Sequence, residues 1–302
     1  MQTDFAGIKL ENPTVLASGI LGTSAEILIR AVKEGGAGAA TIKSIGPVEK
    51  DGYANPTILE WEHGLINAVG LPSPGYENIE QELAELEKSG IPLIASVYAH
   101  DIEEYAKIAA FAAKYKPAMI ELNMSCPHSK GEGMPFGIKE DIAGDVVRAV
   151  KGAARQIPVM PKLTPQALNI ASIASACEKA GADAICAINT LGPGMVINIE
   201  ARKPMLANKF GGISGPAIKP IALRCVYQIY EAVKIPVLGM GGISNGRDAI
   251  EFIQAGATAV GIGSAVHYHG VGVFGKVCRE MEQWMEINNI KDIKEIRGVA
   301  HG

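Results

Sequence analysis

No stretch of 18 apolar residues occurs in this chain, so it offers no candidate membrane-spanning helix. Its start, Met1-Gln2-Thr3-Asp4, lacks the basic-then-apolar layout of a secretion signal. Cysteine is sparse: Cys126, Cys177, Cys186, Cys225 and Cys278 are odd in number, widely scattered and never spaced as C-x-x-C. That argues against a disulfide framework, a zinc site or a cysteine-ligated iron–sulfur cluster. Basic excess is missing too. A formal net charge of -4 leaves no positive footprint for nucleic acid. No linker or shift in composition divides residues 1–302, so one domain is expected. A soluble, cytoplasmic protein with no metal site and no membrane or nucleic-acid partner follows.

What is present is a rhythm. Short β-rich apolar runs occur at 14–17, 40–43, 92–98, 118–124, 159–163, 184–189, 237–240 and 259–264. Helical spacing fills 25–34, 76–88, 102–114, 141–155, 167–179, 219–233 and 247–255, with an eighth segment at 273–287. In the second of these Ile79, Leu83 and Leu86 repeat at about one helical turn, and Glu80, Glu82, Glu85 and Glu87 fill the other face. Gly181-Ala182 and Gly256-Ala257 sit where helices should stop. Strands too apolar to face water, alternating with helices, predict an α/β fold with a parallel sheet covered by helices. A closed (β/α)8 TIM barrel fits count and length; an open doubly wound sheet is the alternative. Residues 5–10 read as a small hairpin plugging one end. Two connections, 45–75 after the second strand and 191–216 after the sixth, are too long for simple loops and belong over the catalytic face.

The chain is organised around residues 120–137, Ile-Glu-Leu-Asn-Met-Ser-Cys-Pro-His-Ser-Lys-Gly-Glu-Gly-Met-Pro-Phe-Gly. A buried-type strand breaks at Cys126-Pro127, because proline supplies no donor and pushes its predecessor out of helix. Gly131, Gly133 and Gly137 then predict a mobile flap. The strand end presents Asn123, Ser125 and Cys126, and the thiol is the candidate proton acceptor. In a barrel, chemistry belongs at the C-terminal strand ends. Those ends read Ser18-Gly19, Lys43-Ser44, Ser96, Asn123, Lys162, Asn189-Thr190, Gly241-Gly242 and Gly263-Ser264. Packing alone would not place two lysines there, since lysine is almost never buried unpaired. The glycine turns of the last two ends expose backbone N–H groups and predict a phosphate site. Gly270-Val-Gly-Val-Phe-Gly matches G-x-G-x-x-G, but follows no strand directly and reads as the entry to the last helix.

Asn123-Met-Ser-Cys-Pro, Asn67-Ala-Val-Gly-Leu-Pro, Ile188-Asn-Thr-Leu and Ala207-Asn-Lys-Phe-Gly-Gly-Ile-Ser-Gly-Pro-Ala-Ile-Lys-Pro together resemble class 1 dihydroorotate dehydrogenases, from the hairpin to Gly263-Ser264. The resemblance implies an FMN-dependent barrel oxidising dihydroorotate to orotate in pyrimidine synthesis. It implies Cys126 as the base taking the C5 proton while hydride leaves C6 for flavin N5. Ser18, Lys43, Ser44, Ser96, Asn123, Lys162, Ile188, Gly215, Gly241, Gly242, Gly263 and Ser264 are the implied cofactor residues. Lys43, Asn67, Ala68, Val69, Gly70, Leu71, Asn123, Asn189 and Thr190 are implied to hold substrate. Amide side chains suit a pyrimidine ring, because each offers a donor and an acceptor to an imide edge.

The wording of residues 189–191 and 212–220 is most similar to class 1B, whose electrons pass to NAD through a separate subunit carrying FAD and a 2Fe–2S cluster. The implied assembly is a homodimer of this chain joined to that subunit, a heterotetramer. His128 stands where relatives often have Asn, and it resembles the dihydropyrimidine dehydrogenases that reduce uracil and thymine. That substrate stays open as the alternative. A flavin-dependent tRNA uridine reductase is disfavoured by the acidic charge. A non-redox phosphate-binding barrel would explain the glycines but not Lys162 with Cys126, and an idle binding subunit would need none of them.

Overall fold

The computed structural model describes residues 1–125 and 136–302. Eight parallel strands close into one barrel: β1 Thr14–Leu16, β2 Ala39–Thr41, β3 Leu93–Val97, β4 Met119–Asn123, β5 Val159–Leu163, β6 Ile185–Ala187, β7 Val237–Met240 and β8 Ala259–Ile262. Each pairs with the next, and β8 returns to β1 through Gly261 opposite Val15. The helices that follow the strands are α1 Ala25–Lys33, α2 Glu80–Ser89, α3 Ile102–Ala112, α4 Glu140–Ala153, α5 Ile170–Lys179, α6 Lys219–Ala232, α7 Gly246–Gln254 and α8 Val273–Ile287. The expected barrel stands, and the open sheet is excluded.

Alternation along the strands explains why both faces are apolar. Successive side chains point to opposite sides. Leu16, Ile120, Ile185 and Val260 face outward and pack against the helices in the large core. Val15, Ala39, Ile94, Met119, Met160, Cys186, Leu238 and Ala259 face inward and fill the barrel. The hairpin of Thr3–Phe5 and Ile8–Leu10 closes the N-terminal end by adding Phe5 and Leu10 to that inner cluster. Each fully buried side chain of this size stabilises the fold by about 1.5–3 kcal/mol.

Helix α2 buries Leu83 and Leu86 as its spacing requires and leaves Glu80, Glu85 and Glu87 in water. It begins later than its pattern suggested, after a separate 3-10 turn, Tyr76–Asn78. At the end of α5, Gly181 takes a φ of +98° and the Ala182 N–H bonds Cys177 O at 3.0 Å. This is the glycine stop its sequence advertised.

The two long insertions are not loops. Leu191–Gly194, Gly211–Ser214, Gly64–Asn67 and Ile58–Trp61 form, in that order, one antiparallel sheet beside the mouth. A further short helix, Ala265–His269, stands between β8 and α8 where the sequence suggested none. The pattern from Gly270 leads into α8 at Val273, as expected. β2 stops at Thr41 and β6 at Ala187, two residues before their predicted ends. Lys43 and Asn189 therefore stand just past the ladder, on turns over the barrel.

Candidate active site at the C-terminal mouth of the barrel

One hydrogen-bonded chain crosses the mouth and runs down into the barrel. Asn189 Nδ2 donates to Asn123 Oδ1 at 3.1 Å and to Ser125 Oγ at 2.9 Å. Asn123 Nδ2 donates to Ser44 Oγ at 3.1 Å. Ser44 Oγ lies 2.9 Å from Ser96 Oγ, and Ser96 donates to Glu121 Oε1 at 2.8 Å. A hydroxyl has one proton. Ser96 gives its proton to Glu121, so Ser44 must donate to Ser96, and the chain has one sense from Asn189 to Glu121. Ser18, which donates to Ile42 O, flanks Ser44 at 3.3 Å.

Two lysines edge this chain. Lys162 on β5 is only 5% exposed, and its Nζ lies 3.9 Å from Glu121 Oε2. Lys43 is half-buried, and burial lowers its pKa from the ordinary lysine value. Neither ammonium makes a hydrogen bond among the described residues. Such donors, with no hydrogen-bond acceptor among the described residues, suit an anionic or carbonyl-rich group seated above them.

The glycine residues converge beside them. Gly242 has a φ of +81°, and a Cβ there would stand 2.7 Å from Gly215 O. A Cβ on Gly215 would reach within 3.6 Å of Ser264 Oγ. Ile188 packs against Gly241 and donates its N–H to Met240 O at 2.9 Å. Gly263 borders Ala17, next to Ser18. The turn after β7 is braced from below. Asp248, 7% exposed, accepts from Ser244 N at 2.9 Å and from Lys219 Nζ at 2.7 Å. Burial pulls the Lys219 pKa down, but hydrogen bonds to Asp248 and Glu251 outweigh it and hold the pKa above the ordinary value.

The expected substrate segment joins the mouth through the cap sheet. Asn67 Nδ2 donates to Gly212 O at 3.3 Å, and a Cβ on Gly212 would run into Thr190 Oγ1. Thr190 N in turn donates to Asn189 Oδ1 at 2.9 Å. Ala68 and Val69 are tied by backbone bonds to Thr57 and Tyr53, and Gly70 lies against the Tyr53 ring. Tyr98, just past β3, donates its hydroxyl to Leu71 O at 3.1 Å. Cys126, His128, Gly131 and Gly133 lie outside the described residues. Their flanks do not: Ser125 is bonded to Asn189, and after the segment Gly137 N–H returns to Met124 O at 3.0 Å.

The sequence matches the family described as dihydroorotate dehydrogenase over residues 1–285. The chain belongs to the dihydroorotate dehydrogenase family. It is 46% identical over 302 residues to the catalytic subunit of dihydroorotate dehydrogenase B (NAD(+)) from Methanothermobacter thermautotrophicus, covering 100% of this chain and 98% of that one. The protein of the same name from Methanocaldococcus jannaschii is 47% identical over 305 residues, covering 100% and 98%. That from Pyrococcus abyssi is 45% identical over 300, covering 99% of each.

Two residues of the mouth, Glu121 and Asp248, are not among those the motifs suggested, whereas Ser125 is presented there as the sequence indicates. Glu121 had a signal: a carboxylate inside the apolar run Ile120-Glu-Leu, two residues from Asn123 and hence on the same inward face. Asp248 had one as well, standing three residues after Asn245, whose side chain accepts its N–H at 3.0 Å as the cap of α7. No helix among the described residues is long and apolar enough to cross a membrane.

Proposed function

We propose that this chain is the catalytic subunit of a class 1B dihydroorotate dehydrogenase, one FMN-binding barrel domain that oxidises dihydroorotate to orotate in pyrimidine biosynthesis. The observation that carries the reading is the convergence of Lys43, Lys162, the amides of Asn123 and Asn189, and the glycines of the β7 and β8 turns at one mouth. The residues fit FMN. Bare glycine backbone around Gly215, Gly242 and Gly263, with the Ser264 hydroxyl, suits a phosphate, since a Cβ at Gly242 would fill the cradle. Lys162 suits the electron-rich pyrimidine end of a flavin. Ser18, Ser44, Ser96 and Ile188 would line the ring and ribityl chain. Bound FMN supplies a two-electron acceptor for the substrate hydride.

The chain's own residues do the rest. Asn67, Asn123, Asn189 and Thr190, with the turn Ala68-Val-Gly-Leu71, hold the pyrimidine edge, and Lys43 meets its carboxylate and carbonyl oxygens. Cys126 takes the C5 proton as hydride leaves C6, so the bond formed between C5 and C6 is balanced by one proton and one hydride lost. Its neighbour Ser125 already bonds Asn189 at the mouth, which supports that role. Positive charge from Lys43 would favour the thiolate.

The relatives' names include a catalytic subunit and NAD(+), which support an electron-transfer partner. FAD and a 2Fe–2S cluster belong on that subunit, because this chain has neither a dinucleotide fingerprint nor paired cysteines. A homodimer core with two such subunits is the assembly, and the cytoplasm its compartment. The test is anaerobic: the FMN-loaded protein is mixed with dihydroorotate and its yellow absorbance followed. Bleaching is expected. Bleaching by dihydrouracil and not by dihydroorotate would move the substrate to the dihydropyrimidine class.

A further inference from the structure

Glu121 is a fully buried carboxylate inside the barrel that the reaction above does not use, and it carries more than packing explains. Its two oxygens have different lives. Oε1 is fixed by Ser96 at 2.8 Å, the last donor in the chain that starts at Asn189. Among the described residues Oε2 has no nitrogen or oxygen hydrogen-bond partner and is shielded from water, the weak Cys186 thiol donor being its polar neighbour on β6. Its nearest cation is Lys162 Nζ at 3.9 Å, itself almost buried. That separation exceeds a hydrogen bond, so the contact is coulombic and does not lock the lysine's rotamer. The adjacent Cys186 thiol is pushed well above its ordinary pKa, by burial first and by Glu121 second, and so brings no compensating charge. Burying a carboxylate with a single hydroxyl donor, a weak thiol neighbour and a lysine beyond hydrogen-bond range is costly, and an apolar side chain of similar volume would often be as stable or more so. A fold that keeps this charge under a functional lysine is using its field.

We propose that Glu121 is a positioning residue of the electrostatic kind: it offsets part of the Lys162 charge and thereby sets the reduction potential of the bound flavin. The inference rests on the FMN reading above. Hydride transfer brings negative charge to the flavin; Lys162 favours that charge and Glu121 opposes it. The opposition is a matter of placement: Ser96, donating to Oε1, holds the carboxylate beneath the lysine.

The experiment is spectroelectrochemical titration of the FMN-loaded protein and two variants, E121Q and K162M, with FMN affinity measured alongside. Removing the buried negative charge should favour the reduced flavin by about tenfold, an upward shift of about 30 mV for a two-electron couple. K162M should shift it downward, while FMN affinity in E121Q stays within a few-fold of the parent. An unchanged or lower potential in E121Q overturns the inference. If E121Q fails to fold, E121M fills the same volume without a polar atom and must give the same upward shift, or the inference falls. A parent protein that takes up no FMN, or a K162M potential equal to the parent's, instead overturns the placement of the flavin over Lys162, and the inference with it.

Discussion

The two ends of this barrel are made from the same eight strands and are chemically opposite. At the N-terminal end the interior is Phe5, Leu10, Val15, Ala39, Ile94, Met119, Met160, Leu238 and Ala259, without a charged side chain in the cluster. One turn of the pleat higher, on the same inward faces, stand Ser96, Glu121, Asn123 and Lys162. A two-residue step along β4, from Met119 to Glu121, is the boundary. Cohesion is concentrated below that line, and polar and charged groups lie above it. A barrel can carry buried charge at its mouth because its base and outer ring hold the strands in register without help from those residues.

Substitutions on either side of the line should therefore fail differently. The largest effect is expected at the mouth: Cys126→Ser should keep FMN yet lose about 10²–10⁴-fold in the rate of flavin bleaching by dihydroorotate, the usual contribution of a positioned base. Stopped-flow absorbance measures it, and an unchanged rate would remove Cys126 from the reaction. At the base, Phe5→Ala should cost about 3–5 kcal/mol of stability by leaving a cavity in the inner cluster. Urea titration checks this, and bleaching per folded molecule at low temperature should match the parent.

Gly242→Ala sharpens the contrast. The new Cβ would meet Gly215 O at 2.7 Å from a backbone with φ +81°. FMN affinity should fall at least about tenfold, or about 1.4 kcal/mol, whereas riboflavin, which lacks the phosphate, should bind with little change. Asp248→Asn is the milder form of the same test. It weakens the brace on Ser244 and Lys219 and should cost about 1 kcal/mol in FMN binding, again with riboflavin spared. Equal losses for both flavins would mean general damage to the turn.

The smallest effect is a gain. Burial lowers the Lys43 pKa, so the folded chain releases that proton before the unfolded chain does. Stability at this site is accordingly regained as pH rises toward the ordinary 10.5. Lys43→Met should raise the neutral-pH Tm by about 2 °C, abolish the alkaline gain and weaken orotate binding. A lower Tm would mean that Lys43 stabilises the mouth it occupies.

Much of this is legible in the sequence. The barrel followed from strand and helix periodicities that are local, such as Leu83 and Leu86 on one helical face. Strand ends were legible because Lys162 and Asn123 interrupt apolar runs. The cap sheet was not, because Leu191–Gly194 is half glycine and its partner Gly211–Ser214 pairs on its other edge with residues 64–67, more than a hundred positions away. Local sequence carries no sign of such a pairing. Glu121 is hidden for a different reason: inside an apolar run a single carboxylate reads as an exception, and only its contacts with Ser96 and Lys162 give it a purpose.

The cap sheet also has a bearing on how members of this fold can be recombined. Its four strands come as two adjacent pairs, one pair from each of two excursions of the backbone, and Gly212 opposite Asn67 lies on the seam between them. Neither excursion completes a sheet alone. A chimera that imports one of them from a relative would present mismatched edges at that seam and spoil the Asn67 and Thr190 positions together. Exchanging both as a unit should transplant the rim intact, so specificity over the mouth is inherited in pairs.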